Sequence, residues 1–493
     1  MKLIRIGTLF TIGIVISLSA LQLYQSTPAK ASIQLQPCEV ADVKAKAQCG
    51  SLEVFENRAT RIGRKIRINV LVVPATGPNR LPDPLFYFAG GPGSSAVEDA
   101  QGLVNGLAKI NEKRDLVFVD QRGTGGSNPL NCNLFDPKHP QSYFGYFFPL
   151  DDVKQCREEL APKADLTLYT TSIAMDDIDD VRDALGYERI NTLGISYGTR
   201  AALVYLRQHE KHVRTTILHG ACPTNDFLPR DYAVRNERAL QGVIAECAAD
   251  EACHKTFPKL REDTQAALAR LLQGPVNVEL PSTDSTGASN YDVVVKIQLS
   301  RDLAAEAIRY MLYNPMAAAR VPFVLNQAAK GNFGPIAQAA LNYRQQIVAT
   351  GSNGMYLSVT CAEDLPWIKE GEGERLSQKT FLGDYRLRQQ REACALWARG
   401  ELPADYAKPV LSKVPVLLLT GEWDPVTPPS NGETVAKYLT SSLHVVIPHG
   451  GHSFFGLDGL NCVENLIDDF VSRGTTKNLN TGCVSSIKRK GFV

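Results

Sequence analysis

Three side chains far apart in the chain have the types needed for nucleophilic acyl transfer. Ser196 lies in Gly194-Ile195-Ser196-Tyr197-Gly198, Asp424 in Thr420-Gly421-Glu422-Trp423-Asp424-Pro425-Val426, and His452 in His449-Gly450-Gly451-His452-Ser453. A serine hydroxyl attacks poorly until a base takes its proton, and an imidazole does this best when a carboxylate orients it. The order serine, acid, histidine, each just past an apolar run, suits a parallel sheet that delivers all three at the C-terminal ends of its strands. Glu422 is the alternative acid and His449 the alternative base. Asp424 is preferred because the loop turns at Pro425. His452 is preferred because the two glycines before it free the loop to bring it forward.

The elements that must position these groups follow from periodicity. The apolar run Ile190–Leu193 enters the serine turn and a helical pattern, Thr199–Arg207, leaves it. That is strand, sharp turn and helix, with the serine at the apex and glycines where side chains would collide. Lys65–Val73 alternates apolar and polar residues and is expected as an early strand at a sheet edge. Leu85–Ala89, Leu116–Val119, Thr215–Leu218, Val414–Leu419 and Leu443–Ile447 read as short buried strands. Asp176–Leu185 reads as a helix with its acids outside, and Val463–Val471 as the last helix. Strands alternating with helices predict a mostly parallel α/β sheet covered on both faces. The acids at 176, 177, 179, 180 and 183 are read as a solvated face, since their spacing is not that of a calcium loop.

From Pro223 to about Ala407 helical periodicity dominates, at Tyr232–Ala249, Leu260–Leu272, Leu303–Tyr313 and Pro335–Ile347. A β-like pair, Val276–Leu280 and Tyr291–Leu299, interrupts it. The expected organisation is a core over 32–222, an inserted mainly helical lid over 223–407, and the rest of the core over 408–493.

The first 31 residues have the form of an export signal. Lys2 and Arg5 precede the apolar run Ile6–Leu21, and Ala29-Lys30-Ala31 offers a cleavage site before Ser32. An uncleaved anchor is the alternative, although the run is short for a span. The whole chain has a net charge of +1; losing residues 1–31 removes Lys2, Arg5 and Lys30 and no acid, leaving −2. With no basic stripe, nucleic acid is excluded as a partner, and no membrane association is expected after cleavage. All eleven cysteines follow Ala31. In an exported chain they suggest disulfides between near neighbours: 38 with 49, 132 with 156, 247 with 253, 361 with 394 and 462 with 483. Cys222 remains as a buried thiol. No CxxC pair or histidine spacing supports a metal site, and the chemistry requires no cofactor.

A tetrahedral intermediate needs donors for its oxyanion. The amide after the nucleophile, of Tyr197, is one; the glycine loop Gly90-Gly91-Pro92-Gly93, following an early strand, offers the other. Asp120 to Gly126 is expected to shape the pocket floor, with Arg122 open to a buried ion pair.

Taken together, these motifs resemble the α/β-hydrolase family in its prolyl aminopeptidase and secreted tripeptidyl aminopeptidase branch, from about Cys49 to Cys483. The Gly-Gly-Pro-Gly and Asp-Gln-Arg-Gly strings are the most specific part, and Ala89 stands where the family usually has histidine. The resemblance implies Ser196 as nucleophile, Asp424 as orienter, His452 as base, and the amides of Gly91 and Tyr197 as oxyanion donors. The Ser358–Asp364 stretch is similar to the start of that branch's C-terminal region. An aminopeptidase must hold a free α-ammonium, and Glu363 or Asp364 in the lid is the expected partner, with two exposed loop acids as the plain alternative. The expected activity is that of an exported serine exopeptidase acting on peptides with a free N-terminus. A carboxylesterase or lipase using the same trio, and a non-catalytic binding protein on the same scaffold, are the rivals.

Overall fold

In the computed structural model, which describes residues 32–40, 46–136, 139–283 and 289–493, the chain is organised by one sheet. Its strands are β1 (Gln36–Cys38), β2 (Ala47–Phe55), β3 (Lys65–Val73), β4 (Leu85–Phe88), β5 (Leu116–Val119), β6 (Ile190–Ile195) and β7 (Val213–His219). After a separate hairpin of β8 (Val276–Thr283) and β9 (Ser289–Leu299), β10 (Val416–Gly421) and β11 (Ser442–Ile447) complete it. The order is β1-β2-β3-β5-β4-β6-β7-β10-β11. The run from β5 to β11 is parallel, and β1, β2 and β3 add antiparallel strands at one side.

The parallel strands are apolar throughout because both faces are covered. Every residue of Leu85–Phe88, Leu116–Val119 and Val416–Gly421 is buried. Side chains alternate between two cores, as the strand period requires. Phe86, Phe88, Val117 and Val119 join the core of helices Thr171–Ala184 and Tyr197–His209. Leu85, Tyr87, Leu116 and Phe118 join the opposite core, with helices Ala96–Leu103 and Asn461–Arg473.

β3 is not at the edge that its alternation suggested. β2 pairs with it over eight residues, from Gln48↔Val72 to Phe55↔Lys65. β1 then pairs with β2, and Cys38–Cys49 ties the two together. The acids of helix Thr171–Ala184 are not all outside either. Asp177 is 1% exposed and accepts from Arg122 Nε at 2.6 Å and Arg58 Nη1 at 2.9 Å. Two guanidinium partners make burial of that carboxylate tolerable.

Between β7 and β10 the chain leaves the sheet. Helices Tyr232–Ala249, Leu260–Leu272, Arg301–Met311, Val321–Ala329, Gly334–Thr350, Asn353–Glu363 and Tyr385–Leu396 fill this stretch, with the β8–β9 hairpin among them. Ser300 caps Arg301–Met311 by accepting from Leu303 N. The five expected cysteine pairs are joined, and Cys222 is free and buried. The export signal lies outside the described residues. Among the described residues no helix is long and apolar enough to cross a membrane.

Candidate active site

Ser196 stands between β6 and helix Tyr197–His209 with φ 58° and ψ −125°, a conformation that L-residues rarely adopt. The flanking glycines have a direct reason. A methyl group on Gly194 would lie 2.3 Å from the Gly198 carbonyl oxygen, and one on Gly198 would lie 2.0 Å from the Phe88 carbonyl oxygen on β4. The turn therefore closes only without side chains at both positions. Two hydrogen bonds hold it: Ser196 N donates to His219 O at 2.9 Å, and the Thr199 side-chain Oγ1 donates to Ser196 O at 2.6 Å.

Asp424 follows β10 and His452 follows β11, and the two meet. His452 Nδ1 lies 2.9 Å from Asp424 Oδ2. The carboxylate is fully buried and also accepts from Val426 N, Thr427 N and Thr427 Oγ1, each at 2.8 Å. Burial pushes the Asp424 carboxyl up, but the attraction and hydrogen bond of His452 and the two amides outweigh it, and it falls to about 2. With Nδ1 engaged, Nε2 is the imidazole nitrogen left for the cavity. Thr427 Oγ1, 3.1 Å from His452 Nδ1, was not singled out in the sequence; only its place three residues after Asp424 hinted at it.

The glycines before His452 serve close packing rather than mobility. A methyl group on Gly421 would lie 2.0 Å from the Gly451 carbonyl oxygen, and one on Gly451 would lie 2.6 Å from the Tyr313 carbonyl oxygen. Glu422 and His449, the alternative acid and base, lie in a different cluster. Glu422 Oε2 accepts from His449 N at 3.0 Å, and His449 Nδ1 lies 2.6 Å from Glu246 Oε1. Among the described residues Glu246, Glu422 and His449 form one grouping of metal-ligand types, within 4.8 Å. Glu246 is already engaged by Trp423 Nε1 at 2.7 Å and Arg489 Nε at 2.9 Å, so the group is an ion-pair hub.

Ser196, His452, Gly91, Tyr197 and Thr427 line one cavity of about 340 Å³, at the small end for a ligand site. The glycine loop passes directly against the serine: a methyl group on Gly90 would lie 3.3 Å from Ser196 Cβ. Gly91 has φ +105°, which a side chain would strain. The Tyr197 amide belongs to the first turn of a helix, where N–H groups lack helical partners and the dipole favours negative charge. Asp120 to Gly126 do not line the cavity. Asp120 acts one layer behind, accepting from Ser95 Oγ at 2.7 Å and Val97 N at 3.0 Å, and so fixes the end of the glycine loop. A larger recess of about 770 Å³ around Glu56, Arg64 and Arg157 contains none of these groups.

Glu363 is not where an amine-binding group must be. It is fully buried at the end of helix Asn353–Glu363 and outside the cavity lining. Its oxygens accept from Thr171 N at 2.6 Å, from Thr171 Oγ1 at 2.7 Å and from the Tyr406 hydroxyl. Thr171 Oγ1 in turn lies 2.6 Å from the Tyr197 hydroxyl. Asp364 is equally committed, to Arg200 Nη1 at 2.8 Å and Leu228 N at 3.1 Å. Glu363 thus braces Tyr197 through Thr171, and Asp364 anchors Arg200 on the same helix as Tyr197; the helix Asn353–Glu363 was not recognised in the sequence.

Residues 83–458 match the family model described as the alpha/beta hydrolase fold. The chain is 25% identical to the serine protease Hip1 of Mycobacterium tuberculosis, over 92% of this chain and 91% of that protein. It is 24% identical to a tripeptidyl aminopeptidase of Streptomyces lividans, over 92% and 87%. It is 25% identical to carboxylesterase B of M. tuberculosis, over 89% and 86%. Among solved structures, a proline iminopeptidase of Mycobacterium smegmatis aligns with a TM-score of 0.39 and 16% identity, over 86% of this chain and 98% of that one. With its family model spanning the elbow at Ser196 and both later loops, the chain belongs to the α/β-hydrolase family.

Proposed function

We propose that the chain is an exported serine exopeptidase that releases residues or a short peptide from peptide N-termini through an acyl-enzyme. The observation that carries the reading is the 2.9 Å contact of His452 Nδ1 with buried Asp424, in a cavity that Ser196 also lines. The serine protease and tripeptidyl aminopeptidase relatives support the peptide as substrate. In this mechanism Ser196 Oγ attacks the carbonyl carbon as its proton passes to His452 Nε2. The Gly91 and Tyr197 amides hold the oxyanion, and Asp424 stabilises the imidazolium. The imidazolium then protonates the departing amine. Water, activated by the same imidazole, releases the acyl group. The lid is the helical stretch 223–407. Five disulfides and the signal-like first 31 residues support export; N-terminal sequencing of the secreted chain should begin at Ser32.

Among the described residues, no carboxylate side chain lines the cavity. A substrate ammonium therefore finds no anionic partner in that lining. This same feature favours a second reading, a carboxylesterase, in keeping with the carboxylesterase B relative. A fluorophosphonate should label Ser196, and Ser196→Ala should abolish both labelling and turnover. Tripeptidyl-anilides and short-chain nitrophenyl esters then separate the readings: an esterase ignores the anilides. An unlabelled native protein would remove both and leave a binding role.

A further inference from the structure

The lid side of the cavity is built around buried positive charge. Helix Arg301–Met311 contributes Glu306 and Arg309, helix Gly334–Thr350 contributes Tyr343 and Arg344, helix Asn353–Glu363 contributes Tyr356, and helix Tyr385–Leu396 contributes Arg386. Glu306 is 0% exposed, Arg344 2%, and Arg309 and Arg386 3% each. Three guanidinium groups therefore surround one carboxylate. Glu306 Oε1 accepts from Arg309 Nε at 3.2 Å and Nη2 at 3.1 Å, which neutralises one of the three. Among the described residues, Arg386 Nε and Nη1 and Arg344 Nε have no hydrogen-bond partner. Arg386 instead stacks on Phe147, its Cζ 3.8 Å from the ring centroid. Burial pulls the Arg344 guanidinium down to about 10 despite the attraction of Glu306. Such uncompensated buried charge is expensive unless something of opposite sign completes it.

The tyrosines carry that charge to the cavity wall. Tyr313 Oη accepts from Arg309 Nη1 at 2.6 Å, Tyr343 Oη from Arg309 Nη2 at 3.3 Å, and Tyr356 Oη from Arg386 Nη2 at 3.2 Å. A phenol that accepts from an arginine still has its own proton to donate, and the cation behind polarises it. All three tyrosines, with Arg309 and Arg386, line the cavity of Ser196. Tyr313 also packs edge-on against His452, with ring centroids 5.2 Å apart. The donors thus lie one side chain from the reacting groups.

We propose that this wall is a subsite for a carboxylate of the substrate, held by the hydroxyls of Tyr313, Tyr343 and Tyr356 with Arg309 and Arg386 supplying the charge. The carboxylate is either an acidic side chain or the free C-terminus of a short peptide. The inference rests on the reading that Ser196 and the substrate share this cavity, but binding can be tested without turnover. Calorimetry on the Ser196→Ala protein would compare short peptides with Glu or Gln at each position, and free-acid peptides with their C-terminal amides. One member carrying a carboxylate should bind about tenfold tighter than its neutral partner, as a charge-assisted hydrogen bond allows. A Glu/Gln difference identifies a side chain, and an acid/amide difference identifies the C-terminus. Tyr343→Phe combined with Tyr356→Phe should bring the acidic-to-neutral affinity ratio, measured on that same variant, down toward one; this pair keeps the packing that Arg386→Gln would disturb. Equal affinity for every acidic and neutral pair overturns the subsite. Preserved preference without fluorophosphonate labelling of the native protein would overturn the hydrolase reading instead.

Discussion

Glu246, on a helix outside the sheet, lies 2.6 Å from Nδ1 of His449, three residues before the candidate base His452. The same carboxylate accepts from Trp423, next to Asp424, and from Arg489 near the C-terminus. One side chain therefore joins the loop after β10, the loop after β11 and the end of the chain. Its removal should let the His452 loop drift without touching the reacting groups. Glu246→Ala is expected to lower kcat about ten- to a hundredfold, the scale of a small misplacement of a catalytic group. KM should change less, and steady-state kinetics on the folded variant would show the split. An unchanged kcat would mean that the loop is held by its glycine packing alone.

The serine elbow makes a sharper prediction about stability. A Gly198→Ala methyl would meet the Phe88 carbonyl oxygen at 2.0 Å, and that oxygen belongs to a strand at the centre of the sheet. Neither partner is a flexible side chain, so helix Tyr197–His209 must move. A loss of roughly 1–3 kcal/mol is expected, the range for overpacking a rigid site. Thermal unfolding reads it directly. Gly186→Ala is a contrast: nothing lies within 4 Å there, and only its φ of +80° opposes the methyl group.

The parts of this fold that were legible in the sequence are those whose reasons are local. Ile190–Ile195 and Val416–Gly421 are apolar without a break because both faces of a parallel strand are covered. The strand Ala47–Phe55 was missed because its first half, with Gly50 and Ser51, carries no alternation; its burial is imposed by pairing with β3. Asp177 was placed outside with its neighbours because its partners, Arg122 and Arg58, are 55 and 119 residues away. The acid at 363 was assigned to the cavity by chemical need alone, and a helix not visible in the pattern turned it toward Thr171 instead. The arginine–tyrosine wall gave no signal at all: it exists only because four separate helices converge.

Cys361–Cys394 links the helix that carries Tyr356 to the helix that carries Arg386. Its closed loop of 33 residues implies about 3–4 kcal/mol of stabilisation on the chain-entropy model. Replacing both cysteines with serine should lower the thermal midpoint accordingly. The 3.2 Å contact of Arg386 with Tyr356 depends on the same two helices. Below the new midpoint the double variant is therefore expected to raise KM while leaving phosphonate labelling of Ser196 intact. A fall in kcat at unchanged KM would place the effect of the bridge at the serine rather than at the arginine–tyrosine wall.

The buried Asp424 ties stability to acidity in a defined window. Its carboxyl falls from 3.8 to about 2 because His452 and the amides of Thr427 and Val426 outweigh the upward push of burial. In the unfolded chain the same group titrates near pH 3.9. Above that pH it is ionised in both states and its contribution, about 2 kcal/mol, is fully present. As the pH falls from 4 toward 2 the unfolded chain takes up the proton first, so this contribution is lost. Asp424→Asn cannot titrate, and its amide would oppose the tautomer that His452 needs; kcat is expected to fall about 10⁴-fold at neutral pH. The stability gap between wild type and Asp424→Asn, measured by calorimetry from pH 5 to pH 2, should narrow steadily over the last two units. A gap that stays constant across that range would mean that the 2.9 Å contact does not join an ionised carboxylate to the imidazole.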